Sequence, residues 1–459
     1  MTAQPQQFDE APALEAPPLW QWPRQAPAPD VQRIADVAMI CSLEQAPREL
    51  QLEFQARLLQ RLVLFAQQAS PLWRDWLAGV DGARLDAAAM QSLPVMERTK
   101  FRELAEAGGA LPVPREHGSV SPHSTSGSTG QPVAFHVSQF SLRLVRHHYM
   151  ADARRHGRNQ MLRRAALGSR TDPHPGREHV FAQGNPWLGD SHLYTRRNLD
   201  FSMKEHALWL ARLAPAYLAT NPTVLSGILE AYEAGVQPAA GLQQVMTFGA
   251  TVEPALRGRA RRILGASIRD RYSCEEVGPI ALQCPNDDSD EPGYHVCVAN
   301  AVVEVVDDAG LPCAEGQTGR VLVTGLHHWA SPAIRYDIGD VASLSPRCRC
   351  GAQTPTLFKL LGRKRALLRT PSGQSKFVRL GASDWLDVAP VREFRLVQQT
   401  RDTIQVELVL DGLLTDGRRA GIAAMLCQRV SDEFTWDIRQ VSAIDWPPGA
   451  KRQDVVCLV

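Results

Sequence analysis

Lysine is scarce in this chain. Of 459 residues, 50 are Lys or Arg, and only Lys100, Lys204, Lys359, Lys364, Lys376 and Lys451 are lysines. Against 49 Asp and Glu the formal net charge is +1. No global field therefore gathers nucleic acid or anionic lipid, and an anionic substrate must be met locally. Long apolar runs are missing too: residues 62–65 are among the longest clean stretches, far short of the ~18–20 needed to span a bilayer. The first residues carry Asp9, Glu10 and Glu15 without an apolar segment, so no signal peptide is expected. Nine cysteines, odd in number and irregularly spread, argue against a disulfide framework and for metal ligation or plain burial. These absences lead to the expectation of a cytoplasmic protein that binds neither nucleic acid nor membrane.

What is present suits a multidomain globular protein. The chain is 44% hydrophobic and 22% charged, and single cores stop growing near 250–300 residues. Residues 1–30, rich in Pro, Ala and Gln, read as a disordered lead. Helical apolar spacing between 31 and 69 predicts one or two amphipathic helices, and residues 140–156 a further one. From 200 to 310 helical pieces (205–213, 254–264) alternate with strand-like ones (244–247, 302–306), which predicts an α/β fold. The turn Asp307-Asp308-Ala309-Gly310 and a strand at 320–324 begin a β-rich subdomain. The character changes after Gly362-Arg363, with a strand at 404–410 and a helix at 418–434. The expected organisation is a large domain over 31–362 and a small one over 363–459. The arginines of 154–164 read as a solvated helix face, because aromatics do not interleave with them.

The most informative stretch is Ser124-Thr125-Ser126-Gly127-Ser128-Thr129-Gly130-Gln131-Pro132. Small residues in series let backbone N–H groups converge on an anion, and the hydroxyls add donors. It lacks the Gly-Lys-Ser/Thr ending of a Walker A loop, and a flexible Ser/Gly linker would have the same composition. Two further segments carry candidate chemistry: Arg271-Tyr272-Ser273-Cys274-Glu275-Glu276-Val277-Gly278, and Arg335-Tyr336-Asp337-Ile338-Gly339-Asp340. An aromatic face suits a purine, and a hard carboxylate oxygen suits magnesium. Cys348-Arg349-Cys350-Gly351, with Cys284 and His295 upstream, is a closed Cys₃His set of the structural-zinc kind. Cys297 could substitute for His295, and reduced buried cysteines are the alternative.

These segments resemble those of the adenylate-forming ligases, which include acyl-CoA synthetases, luciferases and peptide-synthetase adenylation domains. The Ser-Gly-Ser-Thr-Gly-Gln-Pro loop is similar to the family's loop for the pyrophosphate end of ATP, with Val133 where many members have lysine. Leu93-Pro94-Val95-Met96-Glu97-Arg98-Thr99-Lys100 and Asn221-Pro222-Thr223-Val224-Leu225 resemble segments of the phenylacetate-CoA ligase branch, although helix starts would also explain them. The resemblance implies roles by position. Ser126, Gly127, Ser128, Thr129 and Gly130 would hold phosphates, Tyr272 would stack on adenine, and Glu276 would hold Mg²⁺. Asp340 would bind the ribose hydroxyls and Arg363 the ribose or phosphates. Gly249 and Ala250 would back the nucleotide, with Phe248 and Ala250 shaping the acyl pocket, and Arg365 would stand at the hinge. Ser273 replaces a family glycine and Glu275 a hydroxyl residue. Lys451 would be the catalytic lysine, although another alignment puts Gly449 at that position.

The implied fold is α/β, with a large adenylate-forming domain that carries β-subdomains and a small mobile α+β C-terminal domain. The implied activity is AMP-forming ligation of an aryl or acyl carboxylic acid to a thiol, CoA first, with ATP, Mg²⁺ and a structural zinc ion. An amide synthetase, a carrier-protein-loading enzyme and a non-catalytic nucleotide-binding homologue are the alternatives. A homodimer is left open as the assembly.

Overall fold

A computed structural model describes residues 28–86, 89–124, 133–168, 178–185, 189–197, 200–363, 367–373, 375–378, 380, 385, 388–445 and 454–459. The phosphate-loop candidates 126–130, the hinge candidate Arg365 and Lys451 lie outside the described residues, as does most of the lead 1–30.

The chain opens on helices α1 (Ala28–Gln45), α2 (Arg48–Ala69), α3 (Pro71–Trp76) and α4 (Arg98–Ala107). A hairpin of β1 (Val120–Ser124) and β2 (Ala134–Ser138) follows, and α5 (Gln139–Arg155) starts at once. Ser124 pairs with Ala134 across this hairpin. The alternating part comprises β3 (Arg164–Gly168), β4 (Glu178–Asn185), β5 (Gly189–Arg197), α6 (Met203–Leu213), β6 (Tyr217–Thr220), α7 (Pro222–Glu233), β7 (Gln244–Phe248), α8 (Pro254–Leu264) and β8 (Ser267–Cys274). Next come β9 (Gly278–Gln283), β10 (Tyr294–Val296), β11 (Ala301–Val306), β12 (Thr318–Gly325), β13 (Tyr336–Ser345) and β14 (Thr356–Arg363).

All but β1 and β2 of these strands form one twelve-stranded sheet, in the order β11-β12-β13-β14-β10-β9-β8-β7-β6-β3-β5-β4. The pairs β3–β5, β3–β6, β6–β7 and β7–β8 are parallel, whereas β8–β9 and the strands beyond it pair antiparallel. Local chemistry explains the helices over the parallel half. α6 starts on a Ser202/Glu205 capping box, and α7 starts where Asn221 accepts from Val224 N–H at 2.8 Å with Pro222 in the first turn. The segment at 221–225 is therefore a helix start. Leu225, Ile228, Leu229 and Tyr232 form the buried stripe of α7, packed with Leu218, Val245 and Ile268 of the strands. A second core joins α2 and α4 to the antiparallel half through Leu62, Phe101, Ile280, Val321 and Tyr336.

Residues beyond β14 build a smaller layer. β15 (Leu367–Arg369) pairs with β16 (Ser375–Phe377), and β17 (Val391–Gln398), β18 (Thr403–Leu410), β19 (Thr435–Gln440) and β20 (Val455–Cys457) form a four-stranded sheet, β19-β18-β17-β20, against which α9 (Asp416–Arg429) packs. Its core of Leu396, Ile404, Val406, Leu408, Ile422 and Leu426 is its own. α9 ends at Arg429, five residues before the expected end, because Phe434 turns inward against this core and leads into β19.

The arginines of 154–164 are split, which corrects their reading as a solvated face. Arg154 and Arg163 are exposed, whereas Arg155 pairs with Glu44 at 2.7 Å and Arg158 with the buried Asp152 at 2.7 Å. Burial alone would raise the Asp152 carboxyl, but Arg158, with His156 and Arg271 beside it, holds it well below the usual carboxylate range.

At Gly319 a Cβ would stand 2.3 Å from the Val306 carbonyl oxygen across the β11–β12 pair. Gly319→Ala is expected to destabilise the protein by about 1–3 kcal/mol through backbone displacement, read as an earlier midpoint in chemical unfolding.

Candidate active site

Ligands of parallel α/β sheets sit beyond the C-terminal ends of the strands, where the order of connection changes. Here β7 ends in Phe248, followed by Gly249 at φ +80° and the exposed Ala250, and β8 carries Tyr272 toward its end. Residues 275–277 turn the chain back into the antiparallel β9, and Glu276 sits buried in that turn.

Two hydrogen bonds tie this turn to β13. The Tyr272 hydroxyl donates to Asp340 Oδ2 at 2.8 Å, and the Tyr336 hydroxyl donates to Glu276 Oε1 at 3.2 Å. Arg98, on the first turn of α4, places Nη1 3.5 Å from the same Glu276 oxygen. Burial, reinforced by the Glu276 charge, pushes the Tyr336 phenol up, so it stays a donor. Phe101 packs against its ring at 5.1 Å.

Asp340 owes its position to a bulge. The pairing of β12 with β13 jumps from Arg320–Val341 to Leu322–Asp337, so Ile338, Gly339 and Asp340 swell outward opposite Val321. Gly339 adopts φ +79°, a conformation natural to glycine, and its N–H donates to Asp337 Oδ1 at 2.8 Å. Asp337 also pairs with Arg320 at 2.9 Å. Arg363 lies directly across from Asp340 in the β13–β14 register.

Arg335 anchors the start of this segment. Almost fully buried and at φ +48°, it donates to the Leu93 carbonyl at 2.9 Å and the Gly310 carbonyl at 2.8 Å, and pairs with Glu304 at 3.1 Å. Deeper in the sheet, Asp270 accepts from Thr247 at 2.6 Å and Tyr294 at 2.9 Å, with burial raising its carboxyl despite these donors.

The cysteine–histidine candidates also meet. Cys284 follows β9, His295 lies on β10, and Cys348 and Cys350 frame a turn closed by Gly351 N–H to the Cys348 carbonyl at 3.0 Å. One donor atom from each of the four lies within 4.8 Å of the others. Burial, helped by Arg155 and His156, lowers the His295 imidazole to about 4, so it is neutral as a metal ligand must be. Cys297 does not join this group: it stands with Glu44 and His148 in a second one.

The structure thus brings together Tyr272, Glu276 and Asp340, with Arg363 opposite in register and Phe248–Ala250 at the neighbouring strand end. Sequence reading missed the contacts of Tyr336, Arg98 and Arg335. All three lay inside quoted motifs, Arg98 two residues before Lys100, which pairs instead with its helix neighbour Glu103 at 2.8 Å.

Residues 113–329 match the family described as AMP-binding enzyme. That stretch of the chain carries an AMP-binding enzyme domain. The chain is 29% identical over 349 residues to the phenylacetate-coenzyme A ligase of Thermus thermophilus, covering 71% of this chain and 73% of that protein. A solved 2-hydroxyisobutyryl-CoA ligase holding its acyl-AMP shares the fold, with TM-score 0.69, 17% identity and coverage of 90% and 91%. An anthranilate CoA ligase bound to anthranoyl-AMP aligns at TM-score 0.52 and 15% identity, over 72% of this chain and 65% of that one. The α/β expectation holds, and none of the described helices is long and apolar enough to cross a membrane.

Removing Arg335 leaves the partly buried Glu304 and two carbonyls without their donor. Arg335→Ala should therefore cost about 3–5 kcal/mol at neutral pH. Burial already raises the Glu304 carboxyl, with Arg335 opposing it. The uncompensated charge is a penalty only while Glu304 is ionised, so the loss should shrink as pH falls through that raised value. Thermal unfolding of both proteins between pH 7 and 5 measures this.

Proposed function

We propose that the protein is an ATP-dependent, AMP-forming ligase that activates an aryl or acyl carboxylic acid and passes the acyl group to CoA. The observation that carries the reading is the Tyr272–Asp340 and Glu276–Tyr336 pair of contacts, which assembles an aromatic face, a ribose-type acceptor and a buried carboxylate in one place. In the first step the acid's carboxylate oxygen attacks the α-phosphorus of ATP, giving acyl-adenylate and pyrophosphate. In the second a thiolate attacks the acyl carbonyl and AMP leaves.

The residues divide this work. Asp340 accepts from the ribose hydroxyls, as it accepts from the Tyr272 hydroxyl. Tyr272 offers its ring to adenine, while Gly249 and Ala250 back the base and Phe248 borders the acyl group. The loop at 126–130 and Arg363 meet the phosphates. One carboxylate suffices for a magnesium ion that keeps water and phosphate oxygens as its other ligands. Glu276, buried and steadied by Tyr336, is that carboxylate, and the ion would neutralise phosphate charge. Lys451 bridges the carboxylate and the α-phosphate during adenylation. The unit from 363 onward, with its own core, would turn about Arg365 between the two steps. Cys284, His295, Cys348 and Cys350 would hold one structural zinc ion, and the tight clustering of their donor atoms supports it.

ATP–pyrophosphate exchange over a panel of carboxylic acids tests the reading. Exchange followed by thioester formation with CoA is the expected result. Exchange without thioester would point to an amine or carrier-protein acceptor, and no exchange with any acid would leave a nucleotide-binding homologue. Asp340→Ala should raise the KM for ATP about 10- to 100-fold, the worth of hydrogen bonds to a charged acceptor. Glu276→Gln should lower the adenylation rate by about 10²-fold or more. Lys451→Ala should abolish exchange yet spare thioester formation from synthetic acyl-adenylate, a split visible in single-turnover assays.

A further inference from the structure

The second cluster of ligand-type side chains shares no residue with the nucleotide contacts and does no work in the reaction above. Glu44 comes from the last turn of α1, His148 from the middle of α5, and Cys297 from the residue after β10. All three are buried, Cys297 completely, and one donor atom from each lies within 4.8 Å of the others.

Their polar atoms are poorly satisfied for so buried a place. Glu44 Oε2 is paired with Arg155 at 2.7 Å, but Oε1 has no hydrogen-bond partner. His148 Nδ1 is buried without a partner as well, although its neighbour His147 is engaged by Asp36 at 2.8 Å. Buried polar atoms with no partner are costly and call for an explanation such as a bound ion. A thiolate, an imidazole and a carboxylate are together a borderline donor set suited to zinc. A carboxylate that faces a guanidinium with one oxygen remains free to ligate with the other, as outer-shell pairing of metal ligands often has it.

We propose that Glu44, His148 and Cys297 form a second metal site, which takes Zn²⁺ and fastens α1 and α5 to the sheet. Binding deprotonates the Cys297 thiol and releases that proton to solvent, and a water oxygen completes a four-coordinate shell. His295 and Cys297 are two residues apart yet serve different sites, so the short segment after β9 links both.

The site is tested independently of the ligase reading, by metal stoichiometry on the full chain. Metal-stripped protein is titrated with Zn²⁺, and with Co²⁺ to read thiolate-to-metal absorption. About two equivalents are expected for the native chain and about one for Cys297→Ser, with Cys348→Ser keeping the other. Glu44→Gln, which leaves the cysteine in place, should weaken the second equivalent by about tenfold or more, and it decides the matter if Cys297→Ser does not fold. Uptake lost in Cys297→Ser but retained in Cys348→Ser would sustain the second site even if the four-ligand site fails. Equal uptake by native protein, Cys297→Ser and Glu44→Gln, or total loss in Cys348→Ser, would overturn it.

Discussion

Two hydrogen bonds reach across the curvature of one sheet, and the candidate site depends on that curvature. In the strand order, β8 and β13 are separated by β9, β10 and β14. Laid flat, four inter-strand steps would hold them ~19 Å apart. Yet Tyr272 reaches Asp340 at 2.8 Å, and Tyr336 reaches Glu276 at 3.2 Å. The antiparallel half must therefore curl back over the end of the parallel half, and the core around Phe101, Ile280, Val321 and Tyr336 fills the concavity. The bulge at Ile338–Asp340 and the buried Arg335 are the local devices that point β13 inward. The Tyr272 ring and the Glu276 and Asp340 carboxylates converge because the sheet is bent, not because they are near in sequence.

That division also explains what could be read from the chain. The segments at 271–278 and 335–340 declare their chemistry locally, through residue type and spacing, and both arrive at the site. The alternation between 200 and 310 declares the parallel half, since caps and apolar stripes are short-range features. Partnerships across the fold are not so declared. Arg155 meets Glu44 from 111 residues away in sequence, so a cationic run that looks solvated contributes two arginines to buried ion pairs. The histidine pair at 147–148 lacks ligand spacing on one helix, and only the fold brings His148 to Cys297. α9 stops early for a related reason, because Phe434 answers to a core assembled by strands before and after it.

Charge follows the same logic of local provision. With a net charge of +1, the protein meets anions through placed groups and not through a field. Several of its arginines are spent on structure: Arg335 on carbonyls and Glu304, Arg320 on Asp337, and Arg158 on Asp152. Arg363 is placed by backbone register with the bulge that displays Asp340.

The small sheet sets a tether. The Arg395 guanidinium donates to the Asp445 carbonyl at 3.1 Å, and Leu396 N–H donates to the Asp454 carbonyl at 2.8 Å. Both ends of the stretch that carries Lys451 are thus fastened to adjacent residues of β17, and β20 continues the same sheet. Residues 445 and 454 therefore travel with β17, and loosening either anchor would release that end of the stretch from the small sheet.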